Sequence, residues 1–212
     1  MKLLTRVVGP IATNLYVLGD EPSGEAIAID TATPCVEWLT ATLAERGWRL
    51  KLIVSTHRHW DHIGDNAAVN AATGAQIAAH VADRHGLEHP NAAMAPFPIP
   101  PSVPAIDLAE GSQIRLGEIT LDVLHTPGHT EGSVCLLASS ERLLLTGDTL
   151  FAGSWGRTDL PGGSEEQMVD SLGRLSALAD DLRVLPGHGR QTTIANERPW
   201  LEQVRRTRLL PF

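Results

Sequence analysis

A layered α/β domain is the fold class that this sequence predicts. Short apolar runs alternate with amphipathic helical patterns along the 212 residues. The alternation runs through two similar halves, divided by a proline-rich stretch at about 89–104. The residues richest in chemistry fall in loops that adjoin the apolar runs, where a rigid scaffold presents functional groups. With 42 % hydrophobic and 20 % charged residues, the chain has a globular balance. Its length supports one substantial core, so a single domain over 1–212 is expected.

Residues 11–18 and 26–29 read as strands joined by a turn at 20–24. Thr33 and Pro34 look like a helix start, with threonine as N-cap and proline in the first helical position. Val36, Leu39 and Leu43 then give an apolar stripe at i, i+3 and i+7, and Gly47 a C-terminal stop. Residues 50–54 form a short, buried-looking strand, 65–72 a helix, and 76–79 another short strand. In the stretch 89–104, Pro90, Pro96, Pro98, Pro100, Pro101 and Pro104 exclude regular helix and central strand. Its apolar Met94, Phe97, Ile99 and Val103 favour a loop or lid packed on the surface over a free linker.

In the second half, Ile119, Leu121 and Val123 alternate with Thr120 and Asp122, the period-two pattern of a half-buried strand. Residues 133–137 and 142–145 continue as strands. Ser164-Glu165-Glu166-Gln167 is a capping box, opening a helix whose buried stripe is Met168, Leu172, Leu175 and Leu178. A short strand at 184–185 and a helix at 198–208 complete the pattern.

Composition narrows the function. Acidic residues outnumber basic ones, 25 to 17, for a net charge of −8, and no lysine/arginine patch is present to hold a polyanion. A nucleic-acid partner is not expected, and Arg205, Arg206 and Arg208 read as a solvated helix face. No apolar run approaches the roughly 18–20 residues of a membrane span. Lys2 and Arg6 are followed by no export-signal core or cleavage site, so no membrane association and a cytoplasmic location are expected. Cys35 and Cys135 form no CxxC pair and stand away from the histidines. Both are expected to be reduced and buried, neither ligand nor nucleophile.

His57-Arg58-His59-Trp60-Asp61-His62 packs four potential metal ligands into six positions, directly after an apolar strand. His57 and His59 are one residue apart, so extended backbone points both to the same side. Asp61 and His62 can turn toward a second position. Three further candidates sit beside glycine: His129 in Thr126-Pro127-Gly128-His129-Thr130, Asp148 in Thr146-Gly147-Asp148, and His188 in Pro186-Gly187-His188-Gly189. The glycines permit unusual φ and close backbone approach. Imidazole with carboxylate is a donor set that zinc accepts, and seven ligands are enough for two ions. His80 and His85 read as surface or packing residues, His89 as part of the lid, and His125 as a hydrogen-bonding support for the turn beside it.

Taken together, these four motifs resemble the metallo-β-lactamase superfamily along essentially the whole chain. The resemblance implies a four-layer αβ/βα sandwich with the metal site at one edge of the two sheets. It implies that His57, His59 and His129 bind a first ion, that Asp61, His62 and His188 bind a second, and that Asp148 bridges them. Within the superfamily, the segment from Phe151 through Gly156-Arg157-Thr158-Asp159 to Gly163, and Pro186-Gly187-His188-Gly189-Arg190, resemble the glyoxalase II (hydroxyacylglutathione hydrolase) group, especially its shorter bacterial members. Two departures stand out. No counterpart is expected of the helical C-terminal domain by which full-length glyoxalase II grips glutathione, and the glycine pair often found after the Asp-His is Gly64-Asp65, read as a local helix-start change.

The function so implied is a metal-dependent thioester hydrolase acting on a small molecule such as S-lactoylglutathione. Two ions about 3.5–4 Å apart can share a water and lower its pKa from about 15.7 toward roughly 7. Asp61 is the candidate catalytic residue, orienting that nucleophile. Zinc is the expected metal, with iron and manganese also suited to such donors. Alternatives are a mononuclear-iron persulfide dioxygenase, a lactonase or ester hydrolase on the same scaffold, and a metal-binding module without turnover. The Arg157–Asp159 pair is expected to be an ion pair that fixes its loop, and Trp60 and Trp155 to line the pocket or pack in the core.

Overall fold

The computed structural model describes residues 1–91 and 94–211. By its contacts the chain divides into two compact units, residues 1–108 with 115–119, and residues 109–114 with 120 onward. The first unit contains β1 (Lys2–Val8), β2 (Thr13–Asp20), β3 (Glu25–Ile29), α1 (Val36–Arg46), β4 (Arg49–Val54), α2 (Trp60–Ile63), α3 (Asn66–Thr73), β5 (Gln76–His80), α4 (Arg84–Glu88) and β6 (Ile106–Leu108). Its strands form one six-stranded sheet in the order β1-β2-β3-β4-β5-β6. The first three strands are antiparallel, and β3 through β6 are parallel. Leu15, Val17, Ala28 and Ile53 on the strands pack with Leu39, Leu43, Ile63 and Val69 on the helices to make its core.

The remaining elements are β7 (Gln113–Leu116), β8 (Ile119–His125), β9 (Val134–Ala138), β10 (Leu143–Gly147), β11 (Leu150–Phe151), β12 (Ser154–Trp155), α5 (Glu165–Leu175), β13 (Arg183–Pro186), β14 (Thr192–Thr193) and α6 (Ile194–Thr207). They build a second sheet in the order β14-β13-β10-β9-β8-β7, with β11 and β12 as a separate hairpin. Leu144 and Val184 from the strands, Met168 and Leu172 from α5, and Leu201 and Val204 from α6 form the core of the second unit. Among the described residues no helix is long and apolar enough to cross a membrane.

Strand direction decides where the chemistry lies. In the first sheet β3, β4 and β5 are parallel and in register, Ile29 opposite Val54 and Val54 opposite Ala78. Their C-terminal ends therefore share one edge, where parallel strands commonly present function. Because β2 is antiparallel to β3, its first residue, Thr13, comes to that same edge. In the second sheet β10 and β13 are parallel, and β8 runs with them because β9 is antiparallel to both β8 and β10. The ends of β8, β10 and β13 again share an edge.

Several sequence expectations change. Strand β1 has no counterpart among them because it is an edge strand, mostly exposed, with Lys2, Thr5 and Arg6 interrupting any apolar pattern. The short strands β6 and β7 carry similarly weak patterns. Helix α1 starts at Val36, not at Pro34, and Thr33 is not its cap. The Asp65 carboxylate instead accepts hydrogen bonds from the Cys35 N–H (2.6 Å) and the Val36 N–H (3.2 Å), capping the helix from thirty residues away in sequence. Gly64-Asp65 is thus more than a local helix start. Ser164 caps α5 as expected, its hydroxyl accepting from the Gln167 N–H. That helix stops at Leu175, so Leu178 packs on the core from outside it. Arg198 holds the carbonyls of Ser176 and Leu178 and ends the helical path there. Helix α6 begins at Ile194, earlier than expected, because Thr193 supplies an N-cap and Pro199 is accommodated within it.

The described part of the stretch 89–104 has neither helix nor strand; Ala92 and Ala93 lie outside the described residues. It is fastened to the first unit, with Ile99 against the core and the Ser102 N–H on the Leu87 carbonyl. Removing the cap on α1 with Asp65→Ala should lower unfolding free energy by about 0.5–2 kcal/mol. Leu172→Ala, in the core of the second unit, should lower it by about 2–5 kcal/mol. Urea unfolding followed by circular dichroism measures both.

Candidate metal centre

In the first unit the ligand segment leaves β4 in extended form, with His59 at φ −68° and ψ 144°, before the turn of α2 begins. The expected convergence occurs: the His57 and His59 ring centroids are 4.8 Å apart, and those of His57 and His62 are 4.1 Å apart. Arg58, between the ligands, is clamped by the buried Asp83, which accepts from its backbone N–H (3.0 Å) and its guanidinium (2.8 Å).

Asp30, which sequence reasoning passes over, organises this cluster. It follows β3 directly, is buried, and has a left-handed backbone at φ 60°. Its carboxylate accepts from the Thr56 N–H (2.8 Å), the Thr56 hydroxyl (2.8 Å) and His62 Nδ1 (2.9 Å). Since the Thr56 hydroxyl gives its proton to Asp30, it receives the Nδ1–H of His57, 3.1 Å away. This network assigns the proton of both imidazoles to Nδ1 and turns Nε2 toward the cluster. Burial pushes the neighbouring Tyr16 hydroxyl above its usual range, and the Asp30 charge adds to that rise. The one sequence signal for Asp30 is a carboxylate set directly at the end of an apolar strand.

His62 Nε2 then faces Asp61 Oδ2 at 3.1 Å. Both atoms carry lone pairs, an arrangement that a shared cation makes favourable. The Thr13 hydroxyl donates to that same Asp61 oxygen at 2.9 Å.

The second unit repeats this logic at the ends of its parallel strands. His129 follows β8, Asp148 follows β10 and His188 follows β13, and the Gly187 N–H donates to the Gly147 carbonyl (2.7 Å) to tie two of these loops together. His129 Nδ1 donates to the Arg157 carbonyl (2.7 Å), again leaving Nε2 for a ligand role. His129 Nε2 and His188 Nε2 each stand 3.5 Å from Asp148 Oδ2. Two donors bound to one tetrahedral zinc at about 2.0–2.1 Å are roughly 3.3–3.4 Å apart. The spacing suits imidazole and carboxylate donors that share a metal ion.

Two glycines make this geometry attainable. Gly128 has φ 137°, and a Cβ there would come within 2.4 Å of the Met168 backbone nitrogen. At Gly156 a Cβ would lie 1.9 Å from the Asp148 carbonyl oxygen. Close approach, rather than loop flexibility, is what these positions require.

The supporting residues fall as follows. Arg157 and Asp159 form an exposed two-pronged ion pair, 2.7 Å on each arm, that holds the Asp159 carboxyl down at about 2. Arg157 thus serves His129 through its backbone carbonyl while its side chain fixes the loop. His125 reaches the Glu131 carbonyl (2.9 Å) and braces the turn that carries His129. His80 accepts from the Ala82 N–H, and the rings of His85 and His89 lie 4.7 Å apart. Trp155 packs against Trp200 and the second core, and Trp60 meets Phe97 edge to face at 5.6 Å. Both cysteines are free and buried. Burial pushes the Cys135 thiol to about 11 and also raises Cys35, so neither supplies a thiolate at neutral pH.

The donor chemistry in each unit, imidazole Nε2 with carboxylate oxygen, fits a divalent metal ion. The sequence profile of the metallo-β-lactamase superfamily matches residues 8–188. The chain belongs to that superfamily. It is 38% identical over 195 residues to an uncharacterized protein of Aquifex aeolicus (strain VF5), covering 90% of this chain and 91% of that one. It is also 38% identical over 188 residues to the hydroxyacylglutathione hydrolase of Methylococcus capsulatus (strain ATCC 33009 / NCIMB 11132 / Bath), covering 87% of this chain and 64% of that enzyme. Among solved structures, the BLEG-1 B3 metallo-β-lactamase superposes with a TM-score of 0.85 at 32% identity, covering 96% of this chain and 99% of that one. TTHA1623 in a di-iron-bound form gives 0.81 at 33% identity, covering 92% and 96% of the two chains. ETHE1 from Myxococcus xanthus gives 0.80 at 29% identity, covering 96% and 85%. The expected α/β sandwich class is the fold of this superfamily member.

Asp30→Ala removes the acceptor that fixes two of the ligand imidazoles. It should weaken divalent-metal affinity by about 10–100-fold, measured by zinc titration against a competing chelator.

Proposed function

We propose that this superfamily member is a dimetal thioester hydrolase whose substrates are small acyl thioesters of the S-lactoylglutathione type. The observation that carries the dimetal reading is the number of imidazole and carboxylate donors, seven where one tetrahedral ion takes four, with Asp148 Oδ2 standing 3.5 Å from both His129 Nε2 and His188 Nε2. His57, His59 and His129 would hold the first ion. Asp61, His62 and His188 would hold the second, with Asp148 bridging. Zinc is the proposed metal, and the di-iron form of TTHA1623 supports iron as an alternative occupant. The thioester reading is supported by the hydroxyacylglutathione hydrolase of Methylococcus capsulatus, although the chain spans only 64% of that enzyme's length. A cytoplasmic place of action belongs to the same proposal, and no nucleic-acid or membrane partner enters it.

When bound, the two ions supply an acidified water at neutral pH and polarise the acyl carbonyl. The chain's own residues do the rest. Asp30, Thr56 and the Arg157 carbonyl fix the proton of three imidazoles on Nδ1, so that Nε2 donates without rearrangement. Asp61 accepts a hydrogen bond from the attacking water and turns it toward the carbonyl carbon. Attack breaks the C–S bond and releases a thiol and a carboxylic acid. With both cysteine thiols raised by burial, no acyl-cysteine route competes. A mononuclear-iron dioxygenase would need no complete second set of donors, and the presence of His62, Asp148 and His188 favours two ions.

Purified protein should contain two equivalents of divalent metal and hydrolyse S-lactoylglutathione faster than simple esters or lactones. Chelation should abolish turnover and zinc should restore it. His59→Ala should lose first-site metal and at least about a hundredfold in kcat/KM, whereas His85→Ala should keep both. Metal-replete protein inert toward every thioester tried would remove this reading.

A further inference from the structure

We infer that Thr13 is a positioning residue for Asp61 and sets the affinity of the second metal position; the inference rests on Asp61 acting as a ligand. Thr13 opens β2 at the sheet edge that also receives the ends of β3 and β4. It is buried, and its hydroxyl donates to Asp61 Oδ2 at 2.9 Å. That oxygen is the one that faces His62 Nε2 at 3.1 Å. A hydroxyl has a single proton, and here it is spent on a ligand carboxylate, fixing which oxygen points at the imidazole.

The turn between β1 and β2 carries Gly9 at φ 75° and Ala12 at φ 60°, with the Ala12 N–H on the Gly9 carbonyl at 3.3 Å. These left-handed residues close the hairpin in which Val8 pairs with Thr13, the residue whose hydroxyl bonds Asp61. The bond spans forty-eight residues of sequence, so it joins the start of the sheet to the metal-binding turn. Asp30 orients the imidazoles of this cluster, and Thr13 does the same for its carboxylate.

The test is zinc titration against a competing chelator, with circular dichroism and thermal melting on the same samples. Thr13→Val keeps the side-chain shape and removes the hydroxyl. It should weaken the second zinc equivalent by about 10–100-fold and leave the first within about twofold. Thr13→Ser should bind like the wild type. In an Asp61→Ala background, Thr13→Val should add no further loss. The proposal is overturned if Thr13→Val binds as the wild type does, if Thr13→Ser is as weak as valine, or if the valine effect persists without Asp61. Should the valine variant not fold, Thr13→Ala carries the same comparison, and failure of both to fold assigns Thr13 to the scaffold and overturns the proposal. Wild-type protein that binds fewer than two equivalents overturns the dimetal reading and this role together. Loss of the thioester reading alone leaves the metal-affinity result standing.

Discussion

Asp30 is a buried carboxylate on a left-handed backbone, and two of the imidazoles that the first unit presents to a metal depend on it. Burying such a charge is costly unless hydrogen bonds replace the lost water. Two of its bonds come from Thr56 and one from His62, so the groups that stabilise the charge are tied to the ligands that it orients. The bond to His62 is direct, and that to His57 passes through the Thr56 hydroxyl. Breaking this one acceptor would free two imidazoles to flip or change tautomer. The strained φ at Asp30 is compensated by the Asp30 N–H on the Val54 carbonyl and the Ala32 N–H on the Asp30 carbonyl.

The two units use the same plan with different parts. In each, parallel strands end at one sheet edge and the next few residues carry donors. The first unit fixes its imidazoles with side chains, Asp30 and Thr56. The second fixes His129 with a backbone carbonyl, that of Arg157, and holds the intervening loop with the Arg157–Asp159 ion pair. Behind that loop, buried Glu197 accepts from the Gly153 N–H, Trp200 Nε1 and the Thr192 hydroxyl, joining α6 to the β11–β12 hairpin. Donors aimed before a metal arrives lose little freedom on binding it, and that pre-orientation is the physical content of a metal site.

The candidate ligands are legible in the sequence because four donors crowd into six positions and three more stand beside glycine. Structural histidines and aspartates do not cluster in that way. The α/β class is legible from alternation, and α5 from its serine cap. Most of what escapes depends on partners that the local sequence pattern does not display. Asp30 and Thr13 look ordinary until strand pairing brings them to the ligand edge. Asp65 reads as the start of its own helix, yet its carboxylate caps α1. Strand β1 is mostly exposed and owes its existence to pairing along all of β2, not to a pattern of its own. The glycines beside the candidate ligands are legible as sites of unusual φ and close approach, and Gly128 shows both, whereas Gly156, where a Cβ would meet the Asp148 carbonyl, is not singled out by the sequence.

These features converge on donors of one chemical kind. Imidazole nitrogen and carboxylate oxygen are the candidate donors in each unit, and both cysteine thiols are buried, with burial raising their pKa. X-ray absorption at the zinc edge, on protein whose metal content has been counted, tests this most directly. The account predicts two zinc equivalents, a single nitrogen/oxygen shell at about 2.0–2.1 Å and outer scattering from imidazole rings. A sulfur shell at about 2.3 Å, or binding that saturates at one equivalent, would contradict it.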